Sequence, residues 1–309
     1  MEIYSSLAQL HKVEAPCVIA LGTFDGLHLG HQDVIKRARD YADQHGLRLA
    51  VFTFSNHPMT LIDPQCVPVA LITQEQKYEY LAALGVDLLL DVPFDEQLAN
   101  LSPEAFLAQL ESLNFRCLVV GENFSFGYHG VGNQYTLASY TEKKGCKLLV
   151  CRLVNAGEQV ISSTRIRQLI TAGRVQEAQQ MLGRPYSLGG IVSKGNQRGN
   201  LLGFPTANIE LETAGVAVPM GGVYAVQVHF GGKSYLGMGN IGKNPTFGDV
   251  EHARLEVNIF DYSGNLYGQE LTVAFYQRVR GEVKFQGIEQ LVAQLEQDKL
   301  DCRRILQNM

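Results

Sequence analysis

Residues 17–54 read CVIALGTFDGLHLGHQDVIKRARDYADQHGLRLAVFTF, and this stretch decides the fold of the first half of the chain. Cys17–Gly22 is a short apolar run, and a Gly- and His-containing loop follows it. From about Gly30 to Gln44, Val34, Ile35, Ala38 and Ala42 recur at helical spacing, so one side of a helix is apolar. Gly46 is placed to end that helix, and Leu47–Phe54 begins a second apolar run at once. Strand, loop, helix and strand in this order predict a right-handed crossover between parallel strands.

The pattern recurs downstream. Val86–Leu90 is apolar, Ser102 caps a helix that has Pro103 at its first position, and Cys117–Gly121 and Lys147–Leu153 are further strands. Ser162 or Ser163 caps a helix through Ile166, Leu169 and Ile170, and a second short helix stops at Gly183. Residues 1–183 are therefore expected to form an open, mostly parallel, Rossmann-like α/β sheet. Beyond Tyr186 come short β-prone runs split by Gly, Pro and Asn: Gly222–Phe230, Ser234–Met238, Arg254–Phe260 and Gln269–Arg278. Residues 184–309 are expected to form a small antiparallel β-barrel. Its closing helix, Gly287–Leu306, has Ile288, Leu291, Val292, Leu295, Leu300 and Ile305 as its apolar stripe.

Composition agrees with two ordinary globular domains: 309 residues, 46% hydrophobic and 18% charged. A formal net charge of -5 argues against a general nucleic-acid or anionic-membrane binder, which needs a positive field. The six cysteines form no CxxC pair and read as reduced thiols, and the N-terminus lacks the basic start and apolar run of a signal peptide. A cytoplasmic protein with no membrane partner is expected.

The sharpest chemical signal is GTFDGLHLGH, where His28 and His31 stand at the start of the first helix. Unpaired N–H groups and the helix dipole favour an anion there, and two imidazoles add donors. Gly22 and Gly30 permit close approach of the backbone. ISSTRIR, residues 161–167, adds the Ser163 and Thr164 hydroxyls with the Arg165 and Arg167 guanidinium groups, which suit phosphate oxygens. Asn123, in VVGENFSFG (residues 119–127), follows a strand at the edge where open α/β sheets bind ligands.

GTFDGLHLGH resembles the HxGH signature of nucleotidyltransferases, and ISSTRIR resembles the second signature of that superfamily. In the second half there is no GxxxxGK[ST] loop. Residues 194–208, KGNQRGNLLGFPTAN, offer Gly195, Gly199 and Gly203 as bending points. Thr206 and Asn208 supply hard oxygen donors suited to Mg²⁺. This segment resembles the riboflavin kinase signature, and RLEVNIFDY sets Glu256 on the strand face opposite Leu255, Val257 and Ile259.

Together, over nearly the whole chain, these segments resemble the bacterial bifunctional riboflavin kinase/FMN adenylyltransferases, also called FAD synthetases. Departures from that pattern lie at Ser55–Asn56 and at Asn258. The resemblance implies two ATP-dependent reactions with Mg²⁺, riboflavin to FMN and FMN to FAD. It makes His28 and His31 the charge-stabilising groups of adenylyl transfer, with Gly22, Phe24, Asp25, Ser163, Thr164, Arg165 and Arg167 around ATP. Which of the two arginines faces the nucleotide stays open. It makes Glu256 the base of the kinase, Gly195 and Gly203 part of its phosphate loop, and Thr206 and Asn208 its metal donors. Asn123 and Arg280 are implied flavin contacts, Arg280 being equally suited to a phosphate. A member with one inactive domain and a non-catalytic flavin-binding regulator are the alternatives.

Overall fold

A computed structural model describes residues 1–12, 15–194, 203–211, 215–243 and 253–309. The chain divides into two compact units, Met1–Ser163 and Thr164–Met309.

The first unit is built on six parallel strands: β1 (Glu2–Tyr4), β2 (Cys17–Leu21), β3 (Arg48–Phe54), β4 (Leu88–Val92), β5 (Phe115–Gly121) and β6 (Lys147–Cys151). Their spatial order is β1-β4-β3-β2-β5-β6. The expected β2–β3 crossover passes through α1 (Leu29–His45), which Gly46 ends in a left-handed conformation. Every residue of β2 and β4 is buried, as befits a parallel sheet covered on both faces. Cys17, Ile19 and Leu21 join a core with Phe52, Leu90 and Phe106, whereas Val18 and Ala20 join the opposite one with Val34, Ile35 and Ala38. The helices α2 (Met59–Ile62), α3 (Gln74–Ala83), α4 (Glu96–Ala99), α5 (Pro103–Leu110) and α6 (Gln134–Lys144) follow α1 in sequence. Ser102 caps α5 as expected, its hydroxyl accepting the Ala105 N–H. A small hairpin, β7 (Asn155–Ala156) with β8 (Gln159–Val160), precedes α7 (Ser163–Thr171) and α8 (Val175–Leu182).

The second unit is a closed antiparallel barrel of β9 (Tyr186–Ser193), β10 (Ala207–Leu211), β11 (Gly222–Phe230), β12 (Lys233–Lys243), β13 (Ala253–Ile259) and β14 (Glu270–Arg280). The order around it is β10-β13-β12-β11-β14-β9. The helix α9 (Ile288–Gln307) packs on β11, β12 and β14. Its stripe differs from expectation: Ile288 and Leu300 are exposed, and Asp298 and Cys302 are buried. The reason is a charge pair, since Arg280 at the end of β14 draws Asp298 inward. The position read as a boundary, 183/184, falls inside this unit. α8 packs on β14 and β9 and buries Val175, Ala178, Met181 and Leu182, and the Ile170 carbonyl of α7 accepts the Met220 N–H.

All six cysteines are unpaired, and Cys17, Cys117 and Cys151 are strand core residues whose thiols burial pushes up, Cys17 to about 12. Among the described residues no helix is long and apolar enough to cross a membrane.

Candidate active sites

In the first unit the chain runs from β2 to β3 and β4 on one side, then returns to place β5 on the other side of β2. The carboxyl ends of β2 and β5 thus flank a switch point, where a ligand crevice forms between diverging loops. A cleft of about 480 Å³ lies there, lined among others by Gly22, Phe24, His28, His31, Asn123 and Ser163.

The loop after β2 is backbone-strained. Phe24, Gly26 and Leu27 have φ of 50°, 78° and 41° in near succession, and each non-glycine residue so held costs on the order of 1–2 kcal/mol. Burial of Phe24 and Leu27 holds them there, while a side chain at Gly22 would strike the Phe24 ring at 2.9 Å. Thr53 donates from its hydroxyl to the Thr23 carbonyl, tying the loop to β3. Asp25 is structural: its carboxylate accepts the Leu71 N–H at 2.9 Å, and its carbonyl accepts the Ser163 hydroxyl at 2.9 Å.

His28 is the N-cap of α1, its Nδ1 accepting the His31 N–H at 3.2 Å. In the neutral ring the proton is therefore on Nε2. The His31 ring stacks on His28 with centroids 3.6 Å apart, and Phe24 meets it edge-on at 5.4 Å. Burial, with His28 adding to it, holds His31 well below the usual histidine pKa. Its Nδ1 is buried without a hydrogen-bond partner, so a proton there would be an unsatisfied donor, and the donor nitrogen is Nε2. Both rings thus stand at the amino end of a 17-residue helix, with His31 held neutral by burial.

The rest of the cleft is aromatic. Phe54, Phe94, Phe106, Phe124 and Phe126 line it, and edge-on, tilted or stacked contacts 5.2–5.7 Å apart connect them through Phe52. The sequence reading missed these rings, although FTF at the end of β3 and NFSF after β5 alternate as ligand-facing aromatics do. The unusual Asn56 is a clamp: its Oδ1 accepts the Phe94 N–H at 2.7 Å and its Nδ2 donates to the Phe94 carbonyl at 3.1 Å. Thr164, Arg165 and Arg167 follow Ser163 on α7 and belong to the second unit.

In the barrel the register sets Glu256 of β13 opposite Asn208 on β10 and opposite Asn240 on β12. Leu255 and Val257 are fully buried, whereas Glu256 is half-buried on the other face. A cavity of about 280 Å³ is lined by Thr206, Asn240, Glu256, Asn258, Arg280, Glu282 and apolar groups including Phe204, Met238, Phe285 and Leu295. A second, of about 480 Å³, is lined by Val192, Pro205, Thr206, Ala207, Val257, Ile259 and residues 262–267. Thr206 lines both. Asn258, the other unusual residue, donates from Nδ2 to the Pro205 carbonyl at 2.7 Å and fixes the turn that carries Thr206. Gly203 has a φ of 79° in that turn; Gly195 lies outside the described residues. The Arg280 guanidinium donates to both Asp298 oxygens at 2.7–3.0 Å and to the Gly281 carbonyl. It is a strut of the cavity wall, with Phe285 beneath it at 5.8 Å.

The two halves match two protein families, FAD synthetase over residues 10–165 and riboflavin kinase over residues 182–306. The chain belongs to the bifunctional riboflavin kinase/FMN adenylyltransferase family. It is 43% identical to the member from Listeria monocytogenes over 93% of this chain and 91% of that one, and 40% identical to the Bacillus subtilis member over 96% and 94%. A crystal structure described as a macrolide-efflux protein from Streptococcus pneumoniae superposes with a TM-score of 0.91 at 33% identity, covering 97% of this chain and 98% of that one.

Proposed function

We propose that this chain phosphorylates riboflavin to FMN in its barrel and joins FMN to the adenylyl group of ATP, releasing pyrophosphate, in its parallel-sheet cleft. The division of labour is the one expected from the sequence, residues 1–183 for adenylyl transfer and 184–309 for phosphorylation. The observation that supports this reading is that the His28–His31 cleft lies in the first unit and the Glu256-lined cavity, with its neighbour across Thr206, in the barrel.

In the cleft, the aromatic rings suit the flavin and the His28–His31 end suits phosphates. An FMN phosphate oxygen attacks the α-phosphorus of ATP in line, so no protein nucleophile and no base is required. What the protein supplies is alignment and N–H groups aimed at developing charge. His28 and His31 do this as imidazole N–H donors, His31 in its neutral form. Ser163, Thr164, and Arg165 or Arg167 hold the leaving pyrophosphate, and Asn123 a flavin hydroxyl or phosphate.

In the barrel, the Glu256-lined cavity takes riboflavin and the cavity beyond Pro205–Thr206 takes ATP. Thr206, common to both, stands where the phosphoryl group passes. Glu256 accepts the proton of the riboflavin 5′-hydroxyl as its oxygen attacks the γ-phosphorus of ATP. Thr206 and Asn208, two residues apart and with Asn208 opposite Glu256, are neutral hard-oxygen donors that fit Mg²⁺ already held by ATP phosphates. Bound there, the ion neutralises phosphate charge. Gly203, with its positive φ, bends the turn before Thr206, Gly195 is assigned to the phosphate loop by the family resemblance alone, and Arg280 borders the flavin cavity. The six unpaired cysteines accord with a reducing, cytoplasmic setting.

Incubation of the purified chain with riboflavin, ATP and Mg²⁺, followed by separation of the flavins, tests the reading. FMN and FAD should both accumulate, with pyrophosphate released in step with FAD. Absence of either flavin product would remove the corresponding activity.

A further inference from the structure

Arg152 was marked by neither histidine nor helix signature. It stands immediately after β6, whose last residue, Cys151, pairs with Gly121 at the end of β5. Arg152 therefore leaves the sheet at the same carboxyl edge as the Asn123 loop, and it lines the cleft with His28, His31, Asn123 and Ser163. The backbone that carries it is anchored: the Glu122 carboxylate accepts the Leu153 N–H at 2.7 Å, and the Val154 carbonyl accepts the Ile161 N–H at 3.0 Å. Its guanidinium is exposed and makes no hydrogen bond or ion pair among the described residues.

Charge gives this position its meaning. Arg152 is the sole Arg or Lys among the described residues lining the cleft, and no Asp or Glu is among them. The flanking donors are amides, hydroxyls and two imidazoles, of which His31 is held uncharged by burial. Phosphate esters bring several negative charges into this space, in a protein whose own net charge is -5. Neutral donors orient a phosphate, but a guanidinium meets two of its oxygens at once and offsets the charge.

We infer that Arg152 is a phosphate-binding residue of the adenylyl-transfer cleft, its guanidinium pairing with phosphate oxygens of FMN or ATP. This rests on the function proposed above. Steady-state FAD formation from FMN and ATP, measured for the wild type, Arg152→Gln and Arg152→Lys with riboflavin phosphorylation as internal reference, tests it. Loss of a charged hydrogen-bond pair should raise the KM of one substrate roughly 10- to 100-fold with kcat nearly unchanged. A rise confined to FMN assigns the FMN phosphate as partner, and a rise confined to ATP assigns the triphosphate. Lys should recover part of the loss, and the affected KM should become less sensitive to salt in the Gln variant. Unchanged KM values for both substrates in a Gln variant that still makes FAD would overturn the assignment. So would a fall in kcat and thermal stability that Lys does not relieve, which marks a structural role. A wild type that makes no FAD would instead overturn the proposed function itself.

Discussion

The cleft of the parallel sheet presents no carboxylate among its described lining residues, whereas the barrel cavity presents two, Glu256 and Glu282. The nucleophiles of the two proposed reactions would account for the difference. An FMN phosphate is already an anion at neutral pH and needs only alignment and charge stabilisation, while a riboflavin hydroxyl must lose a proton as it attacks. The construction differs accordingly. A strained loop and a helix amino end fix backbone and imidazole N–H groups in the first site, and a cross-strand row sets one carboxylate among neutral oxygen donors in the second. If the contrast is real, the two sites should fail independently and through different chemistry.

The largest expected effect is at Glu256. Glu256→Gln keeps volume and reach but removes the proton acceptor, so FMN formation should fall by roughly 10² to 10⁴, while added FMN is still converted to FAD. Near-normal phosphorylation by the folded Gln variant would make Glu256 a solvated strand residue. Next is the histidine pair, where His28→Ala or His31→Ala should lower FAD formation by about 10² to 10³ and spare FMN formation. Because His28 also caps α1, His28→Asn is the sharper probe: it retains a capping acceptor and lacks the imidazole donor. Full activity in His28→Asn would reduce His28 to a cap.

How much of this was legible beforehand divides along the same line. The β2–α1–β3 unit could be read because Val34, Ile35, Ala38 and Ala42 keep a helical period between two apolar runs, and all four are buried. β1 could not, because a three-residue edge strand carries too few positions to show a period. Strand parity placed Glu256 opposite Leu255 and Val257 from sequence alone. Its partners Asn208 and Asn240 depend on register across three strands, which no local pattern encodes. Neither was Arg152 legible: an arginine after a strand means little until the sheet order sets that strand beside β5 and the Asn123 loop. The boundary at 183/184 followed a change in pattern, but compactness follows packing, and α8 spends its apolar face on β14 and β9.

That packing predicts a difference between two fragments. Residues 184–309 lack α8 and expose the surface that buries Val175, Ala178, Met181 and Leu182. At roughly 1.5–3 kcal/mol for each large side chain withdrawn from water, this fragment should be less stable than residues 164–309 by about 3 kcal/mol or more. Urea midpoints of the two fragments, with riboflavin phosphorylation assayed below the transition, would measure it. Equal midpoints would mean that α8 adds nothing to the stability of the barrel.

The smallest effect separates the two units by pH. His31 is held neutral in the folded cleft, its pKa depressed by burial, whereas in the unfolded chain it titrates near 6.5. Above that value neither state is charged and stability is independent of this group. Below it the unfolded chain binds the proton and the folded one does not, so unfolding becomes more favourable as pH falls. The slope approaches about 1.4 kcal/mol per pH unit, until the folded ring itself protonates. Hydrogen-exchange protection of the β2 and β3 amides, corrected for intrinsic exchange rates and followed from pH 8 to pH 5, should show this slope in the wild type and lose it in His31→Gln. Barrel amides in β11 and β12 should respond identically in both proteins. An unchanged slope for β2 in His31→Gln would mean that the His31 ring is not held neutral, and the account of His31 as an uncharged donor would have to be given up.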